Sequence, residues 1–275
     1  MKNLFKIFAV VCAFTFVIGC SSGSSDEEIT INVSGGTAVV PIVDAGYQEF
    51  KKEHTNVIFN INSDGSSAGI KAASEGVSQI GLSGRDLKDD EKKLGLTETM
   101  FARDALGVVI NSELDIKDLS SEQLNGIYSG KITNWKEVGG EDLAITVVSR
   151  EDGSGSRDVF EEKLGLLDGD GKSLLATDKA IIANSTGAVV ENIETKKGAI
   201  GYVSIGELDN EKIKAVTVDG IAPTQENVLA NKYAINRPFI MISKDESDTV
   251  KAFLEFMLSE EGQKIVVDKG LVSVK

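Results

Sequence analysis

Short β-branched runs alternate with segments of helical spacing along most of the chain. Residues 29–35 (ITINVSG) read as a strand, and 41–53 (PIVDAGYQEFKKE) set Ile42, Val43, Tyr47 and Phe50 on one helical face behind Pro41. A second strand is predicted over 56–62 (NVIFNIN), a short helix over 68–76 (AGIKAASEG) and a third strand over 79–83 (QIGLS). The rhythm continues through strands at 105–111, 144–149, 198–204 and 212–218, with a helix at 156–165. A strand at 236–243 (NRPFIMIS) and one long amphipathic helix over 248–266 close the pattern. Such alternation predicts an α/β fold with a largely parallel sheet and helices on both faces.

The first twenty residues follow a different rule. Lys2 and Lys6 precede an apolar stretch from Ile7 to Ile18, and Val17-Ile18-Gly19 lead into Cys20. This reads as a secretory signal over 1–19 with a lipobox-like cleavage site, which makes Cys20 a lipidated N-terminus. Residues 20–28 then form a small polar tether, with folded material starting near Ile29. The other cysteine, Cys12, lies inside the signal, so no disulfide framework or thiolate chemistry is expected.

The chain is acidic, with a net charge of −14, and losing Lys2 and Lys6 makes the remainder more so. That argues against nucleic acid and against any membrane contact beyond the lipid anchor. It also means that an anion site must rely on local dipoles and a few well-placed cations.

Three loops invite such a reading. In SGGTAVVP, SDGSSAGI and SREDGSGSRD a β-rich run ends in small hydroxyl and glycine residues, and a helix follows at once. Ligands of α/β folds gather at the carboxyl ends of strands, where helix starts present unpaired N–H groups. Ordinary helix capping explains any one of these loops taken singly. Catalytic alternatives lack their parts. His54 is the single histidine and sits at a predicted helix end, and no G-x-S-x-G elbow or His/Cys metal set exists. GDGKS (169–173) misses the phosphate-loop spacing and reads as a turn, and Trp135 reads as a packing residue. Donors for an oxyanion without a nucleophile, base or metal fit binding without chemistry, and no cofactor is expected.

These loops, together with QIGLSGRDL, SGKITNWKEVGG, GAIGYVS and RPFIMI, carry a resemblance to the phosphate-binding proteins (PstS) of bacterial phosphate ABC transporters. The resemblance runs from about Ile29 to the C-terminus. It implies a two-lobed periplasmic-binding-protein fold of type II-like topology, with the ligand in the cleft and a hinge of two chain crossings. One lobe would comprise 29–104 with 236–275, and the other 105–235. It further implies a monomeric solute-binding lipoprotein, not an enzyme, on the outer face of the cell membrane. Its partners would be inorganic phosphate and the subunits of an ABC permease.

By the same resemblance Thr37, Ala38 and Ser66 contact phosphate from one lobe, and Arg150, Ser154, Gly155 and Ser156 from the other. Asp152 would hold Arg150, leaving Arg157 and Asp158 to face solvent. Well-known members carry an aspartate that accepts the proton of bound hydrogen phosphate; the corresponding position here is Gly84, followed by Arg85. Arg85 is then expected as a second cation on the ligand, the plainer alternative being a surface pair with Asp86. Asp64 is a candidate acceptor, with turn capping its ordinary use. Sulfate or arsenate as the ligand stays open, as do an extracellular phosphohydrolase and a surface lipoprotein that keeps the fold without the ligand.

Overall fold

The computed structural model describes residues 27–176, 178–245 and 247–275. The signal and the tether up to residue 26 lie outside the described residues; Glu27 and Glu28 are exposed and without regular structure. The chain begins β1 (Ile29–Gly35), α1 (Val40–Phe50), β2 (Val57–Ser63), α2 (Ser66–Ser74), β3 (Ile80–Ser83) and β4 (Thr97–Asn111). A middle section follows with β5 (Asp118–Leu119), α3 (Ser121–Tyr128), β6 (Thr146–Arg150), α4 (Gly155–Lys163), β7 (Ile181–Ala183), α5 (Thr186–Thr195) and β8 (Ala199–Ser204). Then come β9 (Ile213–Ala215), β10 (Thr217–Val218), α6 (Gln225–Leu229), β11 (Asn236–Ser243), α7 (Asp248–Met257) and α8 (Glu260–Asp268).

The main sheet runs β2-β1-β3-β11-β4-β8-β6-β7, with β9 also pairing with β4. Its two flanks are parallel, as the alternation predicts: β1 with β2 and β3, and β6 with β7 and β8. The centre is antiparallel. β4 pairs with β11 along Thr97–Ala105 and with β8 along Leu106–Ile110, so this one long strand joins the two flanks. Its first half lacks a clean apolar alternation, which is why only 105–111 reads as a strand from sequence.

Aromatic packing fixes a helical layer on each flank. Tyr47 of α1 stacks on Phe59 of β2 at 4.5 Å, and Phe253 of α7 meets the same ring edge-on at 4.7 Å. On the other flank Phe160 of α4 stacks on Tyr202 of β8 at 4.0 Å, with Tyr128 against Phe160. Rings paired in this way are worth about 0.5–1.5 kcal/mol beyond their burial. The second contact sets where α4 begins, and therefore where its first N–H groups point.

The helix expected over 248–266 is two helices. Ser259 caps the second one, its Oγ accepting from the Gly262 N–H at 3.2 Å, with Glu260 and Glu261 in the first turn. Gly262 lies so close to the end of α7 that a Cβ there would fall 2.3 Å from the Phe256 carbonyl oxygen. Apolar periodicity runs unbroken through the corner, but the cap and the glycine turn it. The run 212–218 likewise splits, β9 pairing with β4 and β10 with β5. Trp135 is fully buried, its indole N–H donating to the Gly198 carbonyl at 3.0 Å.

Candidate functional site

Three helix starts converge on one cavity between the flanks. The loop from β1 to α1 brings Gly36, Thr37 and Ala38; the start of α2 brings Gly65 and Ser66; the start of α4 brings Ser154, Gly155 and Ser156. Gly84, Arg150 and Arg237 complete the wall around a small space of about 10 Å³. The first N–H groups of α2 and α4 have no acceptor inside their own helices, and they carry the positive end of the helix dipole. No carboxylate lines this cavity.

Glycine is required where the walls meet. Gly65 has φ 94°, a conformation that side chains strain to adopt. A Cβ on Gly155 would fall 2.3 Å from Ser66 Oγ on the opposite wall. Further contacts hold the walls together: Ser67 N–H donates to the Gly153 carbonyl at 3.1 Å, and the hydroxyls of Thr37 and Thr186 are 3.1 Å apart.

The serines are oriented by what they accept. Ser66 Oγ accepts from the Gly84 N–H at 3.1 Å, Ser154 Oγ from the Arg157 N–H at 3.4 Å, and Ser156 Oγ from Arg237 Nη1 at 2.7 Å. Each hydroxyl then keeps its own proton to donate.

Two arginines face the space, and each is steadied from behind. Arg150 donates through Nε and Nη2 to both oxygens of Glu151, at 2.8 Å each, and through Nε to the Ala183 carbonyl at 3.2 Å. Its Nη1 has no partner among the described residues. Its backbone N–H donates to the Tyr202 hydroxyl at 3.2 Å, and burial pushes that phenol up to about 12. Arg237 donates through Nε to Asp104 Oδ2 at 2.8 Å; Nη2 lies 2.8 Å from the same oxygen as an ion pair without hydrogen-bond alignment. Asp104 is fully buried and also accepts from Ser204 Oγ and the Ile205 N–H. Burial raises the Asp104 pKa despite Arg237, and burial, reinforced by the nearby charge of Arg150, lowers that of Arg237.

Eight of the residues singled out from sequence therefore come together: Thr37, Ala38, Ser66, Gly84, Arg150, Ser154, Gly155 and Ser156. The Gly84 N–H points at Ser66 rather than into the space. Three expectations are corrected. Arg85 does not reach the cavity. Its guanidinium donates to both oxygens of Glu91 at 2.6 and 2.8 Å, to the Asp86 carbonyl and to Ser67 Oγ, and its Nε pairs with Asp158 at 2.8 Å. Hydrogen bonding and charge from Glu91, then Asp158, outweigh burial and raise its pKa. The second correction concerns Asp152. It pairs with Arg157 at 2.6 Å and its side chain is 96 % exposed, because the loop turns it outward; Glu151 is the acid on Arg150. Arg157 is buried on Glu161, and Asp158 pairs with Arg85 and Lys88, so neither simply faces solvent. Asp64 is exposed and outside the cavity wall.

Sequence reasoning missed Arg237, Asp104, Glu151 and Thr186. Arg237 lies in NRPFIMIS, which reads as a strand, and in RPFIMI, which carries the family resemblance; far from the three loops, it has no local signal of a site role. Arg85, Lys88, Asp152, Arg157 and Glu161 instead line a wider, open cavity of about 540 Å³ beside the site. Among the described residues no group of three or more His, Cys, Asp or Glu could hold a metal ion, and no helix is long and apolar enough to cross a membrane.

Comparison with known proteins gives one consistent result. A family model described as a PBP superfamily domain matches residues 21–261. The phosphate-binding protein PstS of Borreliella burgdorferi is 33% identical over 258 residues, covering 92% of each chain. The PstS of Bacillus subtilis is 33% identical over 260 residues, covering 92% of this chain and 84% of that one. A phosphate-bound structure from Clostridium perfringens superposes with a TM-score of 0.85 at 43% identity, over 90% of this chain and all of that one. An ABC-type phosphate transport receptor from Vibrio cholerae gives 0.74 at 34% identity, over 88% of this chain and 99% of that one.

Proposed function

This chain belongs to the PstS family of phosphate-binding proteins within the PBP superfamily, and we propose that it captures inorganic phosphate and hands it to an ABC permease. One observation carries the reading: two buried guanidinium groups, three donor-poised serines and three helix starts enclose a small space with no carboxylate on its wall. A small enclosure walled by cationic and hydroxyl donors favours a compact oxyanion over a sugar or a nucleotide. Arg150 and Arg237 supply charge that water cannot screen, and the helix starts add N–H groups aimed at oxygen. A globally acidic chain can hold an anion there because the donors are local and preorganised.

The lobes are 29–104 with 236–275 and 105–235, joined through β4 and β11. An anion bridging Ser66 on one lobe and Arg150 on the other stabilises the closed form over the open one. The permease would read that closed form. Among the described residues lining the cavity there is no histidine or carboxylate to activate Ser66, Ser154 or Ser156 as a nucleophile, which supports capture without chemistry. Processing after residue 19 and lipid on Cys20 would keep the protein on the outer face of the membrane beside its permease. Replacing Cys20 by Ala should release it from the membrane fraction.

Calorimetric titration of the purified protein with inorganic phosphate tests the central reading. A single saturable site is expected, and a folded protein that shows no phosphate heat overturns it.

A further inference from the structure

Outside the phosphate cavity, two cations and one carboxylate meet across the proposed lobe boundary. Arg85 and Lys88 follow β3 in one lobe, and Asp158 lies in the first turn of α4 in the other. Arg85 Nε and Lys88 Nζ stand 2.8 and 3.2 Å from the same oxygen, Asp158 Oδ2. Arg85 Nε and Asp158 Oδ2 are both buried and make no aligned hydrogen bond among the described residues, so charge is what joins them. Two further contacts cross beside the cavity, Ser67 N–H to the Gly153 carbonyl and the Thr37 hydroxyl to that of Thr186, and both join neutral groups.

The two sides of this cluster are held differently. Every other partner of the Arg85 guanidinium belongs to its own lobe: both oxygens of Glu91, the Asp86 carbonyl and Ser67 Oγ. The guanidinium therefore keeps its place and its charge balance when the lobes part. Asp158 pairs with no cation of its own lobe among the described residues, so opening returns it to water. A Cβ on Gly155 would fall 3.3 Å from Arg85 Cγ, which puts the arginine's stem against the helix start that faces the cavity. Drawing Asp158 onto Arg85 thus draws Ser154, Gly155 and Ser156 towards Ser66.

Resting on the phosphate reading and the lobe division above, we infer that Asp158 is a positioning residue for closure: its pairing with Arg85 and Lys88 latches the lobes around the ligand without touching it. Apparent affinity is the affinity of the closed form scaled by how much of the protein adopts that form. A latch made outside the cavity raises that fraction. Its strength is bounded. The Asp158 side chain is 28 % exposed and that of Lys88 54 %, so water and salt screen part of the attraction. Glu91 already balances Arg85, so opening leaves no unpaired buried charge. The latch therefore biases closure by a modest factor, and the lobes still open to release phosphate.

The sign of the effect separates a latch from a simple field. Asp158 is an anion close to an anion site, so removing its charge should by electrostatics alone tighten phosphate binding. Losing a latch does the reverse. Kinetics separate the two again: a charge that only steers acts mainly on association, whereas a latch acts on release.

The test uses the purified protein and inorganic phosphate, with affinity read by calorimetry and release by chasing labelled phosphate with unlabelled. Asp158→Asn keeps the shape of the side chain and should raise the phosphate dissociation constant about 3- to 20-fold. Faster release should carry that loss, with cooperative melting of the phosphate-free protein retained. Lys88→Met, at an exposed side chain, should quicken release about two- to fivefold. Added to Asp158→Asn it should change release no further, because both act through one carboxylate. Lys88→Met also decides the matter if Asp158→Asn does not fold, and wild-type release from it overturns the inference. A folded Asp158→Asn that binds phosphate at least as tightly as the wild type, or whose loss lies in association, overturns it too. Each of these outcomes leaves the phosphate reading intact, whereas a folded wild-type protein that takes no phosphate overturns that reading and the latch with it.

Discussion

Four arginines in this protein are buried to nearly the same degree, and only two of them face the candidate site. Arg150, Arg237, Arg85 and Arg157 are 2, 3, 4 and 8 % exposed. Arg85 and Arg157 each meet two carboxylates, Glu91 with Asp158 and Glu161 with Asp152. Arg150 and Arg237 each meet one, which grips the guanidinium from behind and leaves Nη1 towards the cavity. Burial and charge alone therefore do not mark a binding arginine. The useful quantity is how many of its five N–H donors remain after its protein partners are served.

The first pair should respond far more strongly to change than the second. The largest effect falls on folding. Arg237→Ala leaves Asp104 buried and unpaired, which should cost about 3–5 kcal/mol in chemical denaturation. Adding Asp104→Asn should recover much of that loss, and no recovery would show that the pair is not the cause.

Arg150→Ala comes next. It removes the charged donors of one wall and should weaken phosphate binding by about 2–4 kcal/mol, read by calorimetry. Gly155→Ala sits between the two classes. Its Cβ would strike Ser66 Oγ across the cleft, so affinity should fall while melting in the absence of phosphate hardly moves.

The outer cluster should give smaller and different signals. Hydrogen bonding and charge from Arg85 outweigh burial and hold the Glu91 carboxyl below its ordinary range. Its contribution to stability is present above the unfolded carboxylate pKa and is lost as pH falls through the depressed folded value. Glu91→Gln should therefore flatten the acid limb of a melting-temperature profile and leave phosphate affinity near neutral pH unchanged. Asp152→Ala should do least, shifting affinity by less than about twofold because an exposed ion pair contributes little. A large loss there would restore Asp152 as the acid that matters and break the comparison.

Much of this is legible in the amino-acid sequence. β11 starts and ends where the run NRPFIMIS does, and the three hydroxyl-rich loops do lie at helix starts around one space. Local composition could show this because strand alternation and helix capping are properties of neighbouring residues. The errors share the opposite cause. Arg85 follows a cavity residue in sequence, yet the backbone after Gly84 turns its side chain to Glu91 and Asp158. Asp152 and Glu151 are adjacent and chemically alike, and only the direction of the loop decides which one meets Arg150.

The amino-acid sequence by itself determined the α/β alternation, the glycines that let α2 and α4 start at close quarters, and the serines and arginine that make an oxyanion site plausible. Tertiary structure alone decided that Arg237, 80 residues beyond Arg157, reaches the cavity while Arg85 and Arg157 are neutralised outside it. The physical reason is that a guanidinium's availability depends on which carboxylates the fold brings within about 3 Å of it, and those carboxylates come from other strands and helices.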